Sequence, residues 1–116
     1  MKKGPYFNGM LFSLVLLVVT AGMAFGETWY VAPDGANTPM NGTSSDPFKT
    51  IQYAVDQASN GDTILVGEGT YFEEVNIDKD QLTLRSLTPN SATIDGEDYC
   101  IQLLGNGLTI EDINLQ

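Results

Sequence analysis

DPFKTIQYAVDQASNGDTILVGEGTYFEEVNI, residues 46–77, is the stretch that decides the fold. Its first half carries a helical pattern. Ile51, Ala54, Val55 and Ala58 fall at i, i+3, i+4 and i+7, which is one helical face. The other face, Gln52, Tyr53, Asp56 and Gln57, is polar or amphipathic. Asp46 can cap the helix, with Pro47 at its first position, and Thr50 is an alternative cap. Asn60-Gly61 supplies a stop, because glycine tolerates positive φ. The pattern predicts a helix over residues 50–59 that buries its stripe against the strands that follow.

Downstream, short β patterns recur between turn residues. They are Thr63–Val66, Tyr71–Ile77, Leu82–Arg85, Thr93–Asp95, Tyr99–Leu104 and Leu108–Leu115, the last with a break near Glu111-Asp112. Gly67, Gly69, Pro89-Asn90, Gly96 and Gly105-Asn106-Gly107 punctuate them. Upstream, Thr28–Ala32 reads as an opening strand, ended by Pro33-Asp34-Gly35 and followed by a polar loop over 35–46. Spacing adds a period. Val75 to Ile94 and Ile94 to Ile113 are each 19 residues; Ile64 to Leu84 is 20 and Leu84 to Ile110 is 26. Several short strands per period of this size indicate a β-solenoid, with each turn's strands parallel to those of the turn before. A small antiparallel sandwich is the competing arrangement.

Length and composition bound the rest. The chain has 116 residues, enough for one domain. Its 42% hydrophobic and 17% charged residues exclude a disordered acidic tail. With no His and one Cys, zinc fingers, Cys-His proteases and Ser-His-Asp triads are excluded within this chain. A net charge of -10 argues against a nucleic-acid partner, which needs a basic footprint. Residues 1–26 read as a secretory signal peptide: Lys2 and Lys3, then the apolar run Met10–Val19, then Ala24-Phe25-Gly26 before a cut at Glu27. A cut after Ala24 is the alternative. The apolar stretch is shorter than the ~20 residues that span a bilayer, so a cleaved signal with no membrane span after cleavage is expected, and an uncleaved anchor is the alternative. Loss of Lys2 and Lys3 leaves 3 basic against 15 acidic residues, a net charge of -12. The organisation expected is a signal over 1–26, an opening strand, loop and helix over 27–61, and first coils of a longer solenoid over 62–116.

Residues 46–77 resemble the N-terminal cap of right-handed parallel β-helix proteins, the pectate-lyase-like superfamily. The resemblance rests on an F-K-T-I-Q-x-A-V helix, then G-D-T-I-x-V, then G-T-Y-x-E-x-V-x-I. TWYVAPDG (28–35) resembles the opening of secreted members, and LTLRSLTPNSATIDG (82–96) and LTIEDINLQ (108–116) resemble their first coils. The resemblance implies an all-β, right-handed parallel β-helix with one capping helix. It also implies a secreted, carbohydrate-active parent protein of polysaccharide lyase, pectinesterase or glycoside hydrolase type. Polysaccharide would be the parent's partner and Ca²⁺ a candidate ion of the parent. Polysaccharide lyases, glycoside hydrolases and inert surface proteins share this cap, so a non-catalytic adhesion scaffold and a functionless remnant stand as alternatives. No residue of this chain matches a catalytic position of the family, and end-to-end self-association through the last coil is expected.

Individual residues invite chemistry. Glu73, the Glu of G-T-Y-x-E, falls among inward apolar positions, so either a bulge turns it outward or it accepts backbone N–H groups at a corner. Asp95, Glu97 and Asp98 flank Gly96 and offer a solvated turn or hard oxygen ligands for Ca²⁺; Glu111-Asp112 is similar. Arg85, the single Arg, can clamp a sugar carboxylate or pair with a neighbouring acid. Cys100 is expected on the outward face with Gln102. Trp29 and Tyr30 can stack on sugars or pack on the helix. Asn41-Gly42-Thr43 is a glycosylation sequon, and Asn-Gly is equally a turn pair.

Overall fold

The computed structural model describes residues 26–116; the signal segment expected over 1–26 lies, but for Gly26, outside the described residues. The described chain folds as β1 (Thr28–Val31), α1 (Ile51–Gln57), β2 (Thr63–Val66), β3 (Gly69–Tyr71), β4 (Val75–Ile77), β5 (Thr83–Ser86), β6 (Ala92–Ile94), β7 (Ile101–Leu103), β8 (Thr109–Glu111) and β9 (Ile113–Leu115). Three sheets form, in the orders β1-β2-β5-β8, β3-β6-β9 and β4-β7. Every ladder is parallel. The chain visits each sheet once per circuit, which is a parallel β-helix and not an antiparallel sandwich. Among the described residues no helix is long and apolar enough to cross a membrane.

Stacking aligns like with like. Ile64 pairs with Leu84 and Leu84 with Ile110. Tyr71 pairs with Ile94 and Ile94 with Leu115, while Val75 and Ile77 sit under Ile101 and Leu103. Ile64, Val75, Ile77, Leu84 and Ile94 are fully buried. Each such side chain contributes about 1.5–3 kcal/mol by leaving water. The columns open toward the last coil, where Leu103 is 55% and Leu115 53% exposed.

Two of the four spacings are true register steps. Thr63 to Thr83 is 20 residues and Thr83 to Thr109 is 26, as the Ile64–Leu84–Ile110 column requires. The two 19-residue steps are not. Val75 lies in the β4-β7 sheet and pairs with Ile101, whereas Ile94 pairs with Tyr71 and Leu115. Corner length varies from coil to coil, so equal spacing between apolar residues does not identify neighbours.

The predicted strand 71–77 is two strands in different sheets, with a corner at 72–74 between them. The predicted helix is shorter at both ends. Thr50, in extended conformation, is the N-cap, and its side chain accepts from Tyr53 N. Asp46 does not cap, because Phe48 is held extended beside β1: Phe48 N donates to Tyr30 O and Ala32 N to Phe48 O. The helix ends before Asn60-Gly61. Ala58 is already extended, and Gly61, at φ 89, turns the chain toward β2. The break expected near Glu111-Asp112 is present, with Asp112 at φ 54.

Candidate functional site

The first coil and α1 are joined through polar groups at three points. Glu73, at the β3–β4 corner, accepts Ile51 N at Oε2 and Gln52 N at Oε1, both at 2.9 Å. These amides are among those that a helix N-terminus leaves without intrahelical partners. At the far end, Lys79 Nζ donates to Val55 O at 3.0 Å and Ala58 O at 2.9 Å. An acid at the start of the helix and a base at its end both match the helix dipole. Between them, Gln52 Nε2 donates to Asn76 O at 3.1 Å while Asn76 N donates to Gln52 Oε1 at 2.7 Å. The amide stands where a neighbouring strand would pair with β4. Of the alternatives for Glu73, the one realised is acceptance of backbone N–H groups at a corner.

A second cluster ties β1 to the turn after the helix. Asp62 is 4% exposed. It accepts Glu27 N at 2.8 Å, Trp29 Nε1 at 2.9 Å and Ser59 N at 2.8 Å. Burial raises its carboxyl, but those hydrogen bonds, with the charge of Lys79, outweigh burial and hold it below the usual aspartate value. Trp29 stacks on Phe48 with centroids 5.6 Å apart, and Phe48 meets Tyr53 edge-on at 4.9 Å. Trp29 therefore packs toward the helix. Buried Tyr71 donates its hydroxyl to Gly67 O at 2.8 Å. Burial, then the charges of Glu73 and Asp34, pushes that hydroxyl well above its usual value.

The solvent-facing candidate is a cleft of about 430 Å³ at the corner between the second and third sheets. Phe72, Glu73, Glu74, Asp95, Gly96 and Glu97 line it. Phe72 is 79% exposed. Glu74 Oε2 accepts Asp98 N at 2.7 Å, and Tyr99 OH donates to Asn76 Oδ1 at 3.0 Å, so the longer 95–100 corner is braced on the coil below. Gly96 has no room for a side chain, since a Cβ would stand 1.8 Å from Tyr99 O. An exposed ring beside several carboxylates offers a stacking face and acceptors for hydroxyl donors. A smaller groove of about 250 Å³, lined by Pro33, Lys49, Thr50, Thr70 and Tyr71, meets it at Phe72 and Glu73.

The structure brings Asp95 and Glu97 into this cleft and leaves Asp98 exposed beside it, while Glu111, the last residue of β8, and Asp112, between β8 and β9, are both exposed. Among the described residues no group of three or more His, Cys, Asp or Glu is placed to hold a metal ion. Arg85 is exposed on β5, in register with Leu65 and Glu111. Cys100 departs from the outward position expected. It precedes β7, packs partly against the core and donates its thiol to Gln116 O at 3.0 Å. The Asn41 side chain is engaged in its loop, accepting from Thr38 Oγ1 and donating to Pro47 O.

Sequence reasoning missed Asp62, Lys79, Gln52 and Phe72 as members of these clusters. For Gln52 and Lys79 the signal was available: a polar residue on the helix face and a base after a strand. Their partners lie 24 and 21–24 residues away, and only the coil brings them together.

Three sheets wound by parallel circuits, with one helix against the first circuit, define a parallel β-helix protein. A family model described as a protein of unknown function, DUF1565, matches residues 34–85. The uncharacterized protein YwoF of Bacillus subtilis (strain 168) is 29% identical over 109 residues, covering 78% of this chain and 23% of that protein. Pectate lyase PEL9 of Emericella nidulans is 40% identical over 79 residues, covering 60% of this chain and 18% of the lyase. The chain spans about a fifth of the length of these curated relatives. No solved structure gives a significant match. The fold is that of a parallel β-helix, and the similarities support a pectate-lyase-like β-helix superfamily.

Proposed function

We propose that this chain is the capping region of an exported, carbohydrate-active β-helix protein that acts on a polysaccharide. The observation that carries this reading is the polar seat of α1. Gln52 occupies the free edge of β4, while Glu73 and Lys79 hold the two helix ends over the first coil. A solenoid needs such a cover, because an open edge is a template for association. The similarity to a pectate lyase supports polysaccharide as the substrate class. In this reading catalysis of lyase, pectinesterase or glycoside hydrolase type belongs to other coils of the whole protein. The mature region's charge of -12 would repel a polyuronate, so the whole protein needs a divalent cation, Ca²⁺, to bridge the like charges.

The corner cleft favours a second reading, a glycan-binding scaffold. Phe72 supplies a ring face, and Glu74, Asp95 and Glu97 supply acceptors. Both readings are tested by export of the full chain from a secreting host, followed by retention on immobilised neutral glycans and on pectate with and without Ca²⁺. Export with retention that weakens in Phe72→Ala supports the cleft. Release of unsaturated sugar by the whole protein favours the lyase, and release without Ca²⁺ overturns the cation requirement. A chain that stays in the cell overturns the export reading.

A further inference from the structure

We propose that removal of the signal peptide before Glu27 completes the fold, by converting the Glu27 amide into an α-ammonium that pairs with the buried carboxylate of Asp62. The geometry is already set. Glu27 N lies 2.8 Å from Asp62 Oδ1, and Thr63 N donates to Glu27 O at 2.9 Å, so the residue is held from both sides. Asp62 is a buried carboxylate whose three donors, Glu27 N, Trp29 Nε1 and Ser59 N, are all neutral. It stands just past the C-terminal end of α1, where the helix carries partial negative charge. Lys79 spends its ammonium on the helix carbonyls Val55 O and Ala58 O. Lys79 therefore acts on this carboxylate only through space; a charged hydrogen-bond donor is what it lacks, and the cut delivers one at hydrogen-bond distance.

Position 26 adds an independent observation. A Cβ on Gly26 would stand 2.0 Å from Gly61 O and 2.8 Å from Asp62 Cα. Glycine there satisfies two demands at once: a small residue before the cut, and room for the precursor chain to pass the 61–62 turn. The cleavage itself is hydrolysis by a signal peptidase. The bond from Gly26 C to Glu27 N breaks, the hydroxyl of water goes to the Gly26 carbonyl carbon, and its proton goes to Glu27 N. Below its pKa the new amine takes a further proton from solvent.

The sign of the pH dependence follows. A free α-amine titrates near 7.7–8.0, and pairing with a carboxylate raises that value in the folded state. The added stability is present in full below the unfolded value and is lost as pH rises through the folded one. The other charged groups around the amine are the Glu27 carboxylate, Lys79 and Asp80, whose backbone carbonyl accepts from Gly61 N. They are common to any two forms that differ only at the N-terminus, so the difference between such forms reports the position of the ammonium itself.

The proposal rests on the export reading, and the first measurement separates the two. N-terminal sequencing of the chain exported from the full precursor should begin at Glu27. A start at Phe25 overturns this proposal and leaves export standing; no export overturns the reading beneath it. Next, the Glu27-start protein is compared with one exported behind a leader that leaves Gly26 attached. At pH 6 the Glu27-start form should melt about 4–8 °C higher, the shift given by one strengthened charged hydrogen bond in a domain this size. The gap should close above about pH 10. Equal melting at both pH values overturns the proposal. The α-amine pKa, read by NMR after ¹³C-methylation, should lie above the free range and return to it in Asp62→Asn; an unshifted value in the parent overturns the pairing without requiring any variant to fold.

Discussion

Replacing Glu73 by Ala should unseat the helix while leaving the coils stacked. The carboxylate accepts two backbone amides, Ile51 N and Gln52 N, each at 2.9 Å. Hydrogen bonds to a charged group contribute about 1.5–3 kcal/mol each. Glu73 is only partly buried and its two bonds share one side chain, so the pair is not additive. A loss of about 2–3 kcal/mol is expected, which lowers the melting temperature by about 8–24 °C at this domain size. Glu73→Gln keeps one acceptor oxygen but turns an amide donor toward the second N–H, so it should fall between parent and Ala variant. Thermal unfolding followed by circular dichroism gives the global number. Hydrogen exchange at Ile51 and Gln52 gives the local one, and both amides should exchange faster in the Ala variant. If Glu73→Ala melts within about 2 °C of the parent and those amides stay protected, the apolar stripe alone seats the helix and the electrostatic account is wrong.

Four further outcomes are expected. Lys79→Met should cost about 1–2 kcal/mol and release the helix end, with faster exchange of the Ala58 amide. Leu84→Ala, at a position fully buried between Ile64 and the partly buried Ile110, should cost about 2–5 kcal/mol in urea unfolding. Asp62, whose folded carboxyl titrates below its unfolded value of about 3.9, contributes stability that is present above that value and lost as pH falls through the folded one. Asp62→Asn should therefore be less stable near neutrality and show a flatter acid-unfolding curve than the parent; an unchanged acid curve would contradict the assignment. Leu103, Leu104 and Leu115 are 55%, 59% and 53% exposed, so the chain should associate end to end, more strongly at high salt, and a monomer by sedimentation at both salts would refute this.

The architecture was legible because its signals are local. The Ile51, Ala54, Val55 and Ala58 stripe marks the helix, and short β-branched runs between glycines mark most strands. What escaped depends on contacts across a whole circuit. The corner at 72–74 is only half signalled, by Glu73 interrupting the inward apolar positions Tyr71, Val75 and Ile77; its partners, the Ile51 and Gln52 amides, lie 22 and 21 residues away. Of the two caps the sequence offers, Thr50 is the one used; Asp46 with Pro47 fits the general pattern equally well, and the tie between Phe48 and β1 that rules it out is invisible without the third dimension. Cys100 lies one residue before β7, where strand alternation no longer governs which way a side chain faces. At the site, Asp95 and Glu97 announced themselves as acids around a glycine, whereas Phe72 read as one more strand residue.

The unequal circuits have a consequence for how such a protein can change. Register steps of 20 and 26 residues coexist in one sheet, and the β3-β6-β9 sheet steps by 23 and 21. Stacking is therefore indifferent to how much chain lies between strands, provided each strand returns to its neighbour. Loop closure grows only slowly in cost with length, so an insertion at 96–99 is absorbed where it occurs and does not shift the columns beyond it. The corners are decoupled from the wall. Sequence drift can remodel the cleft around Phe72 one corner at a time, while selection on the stacked interior continues undisturbed.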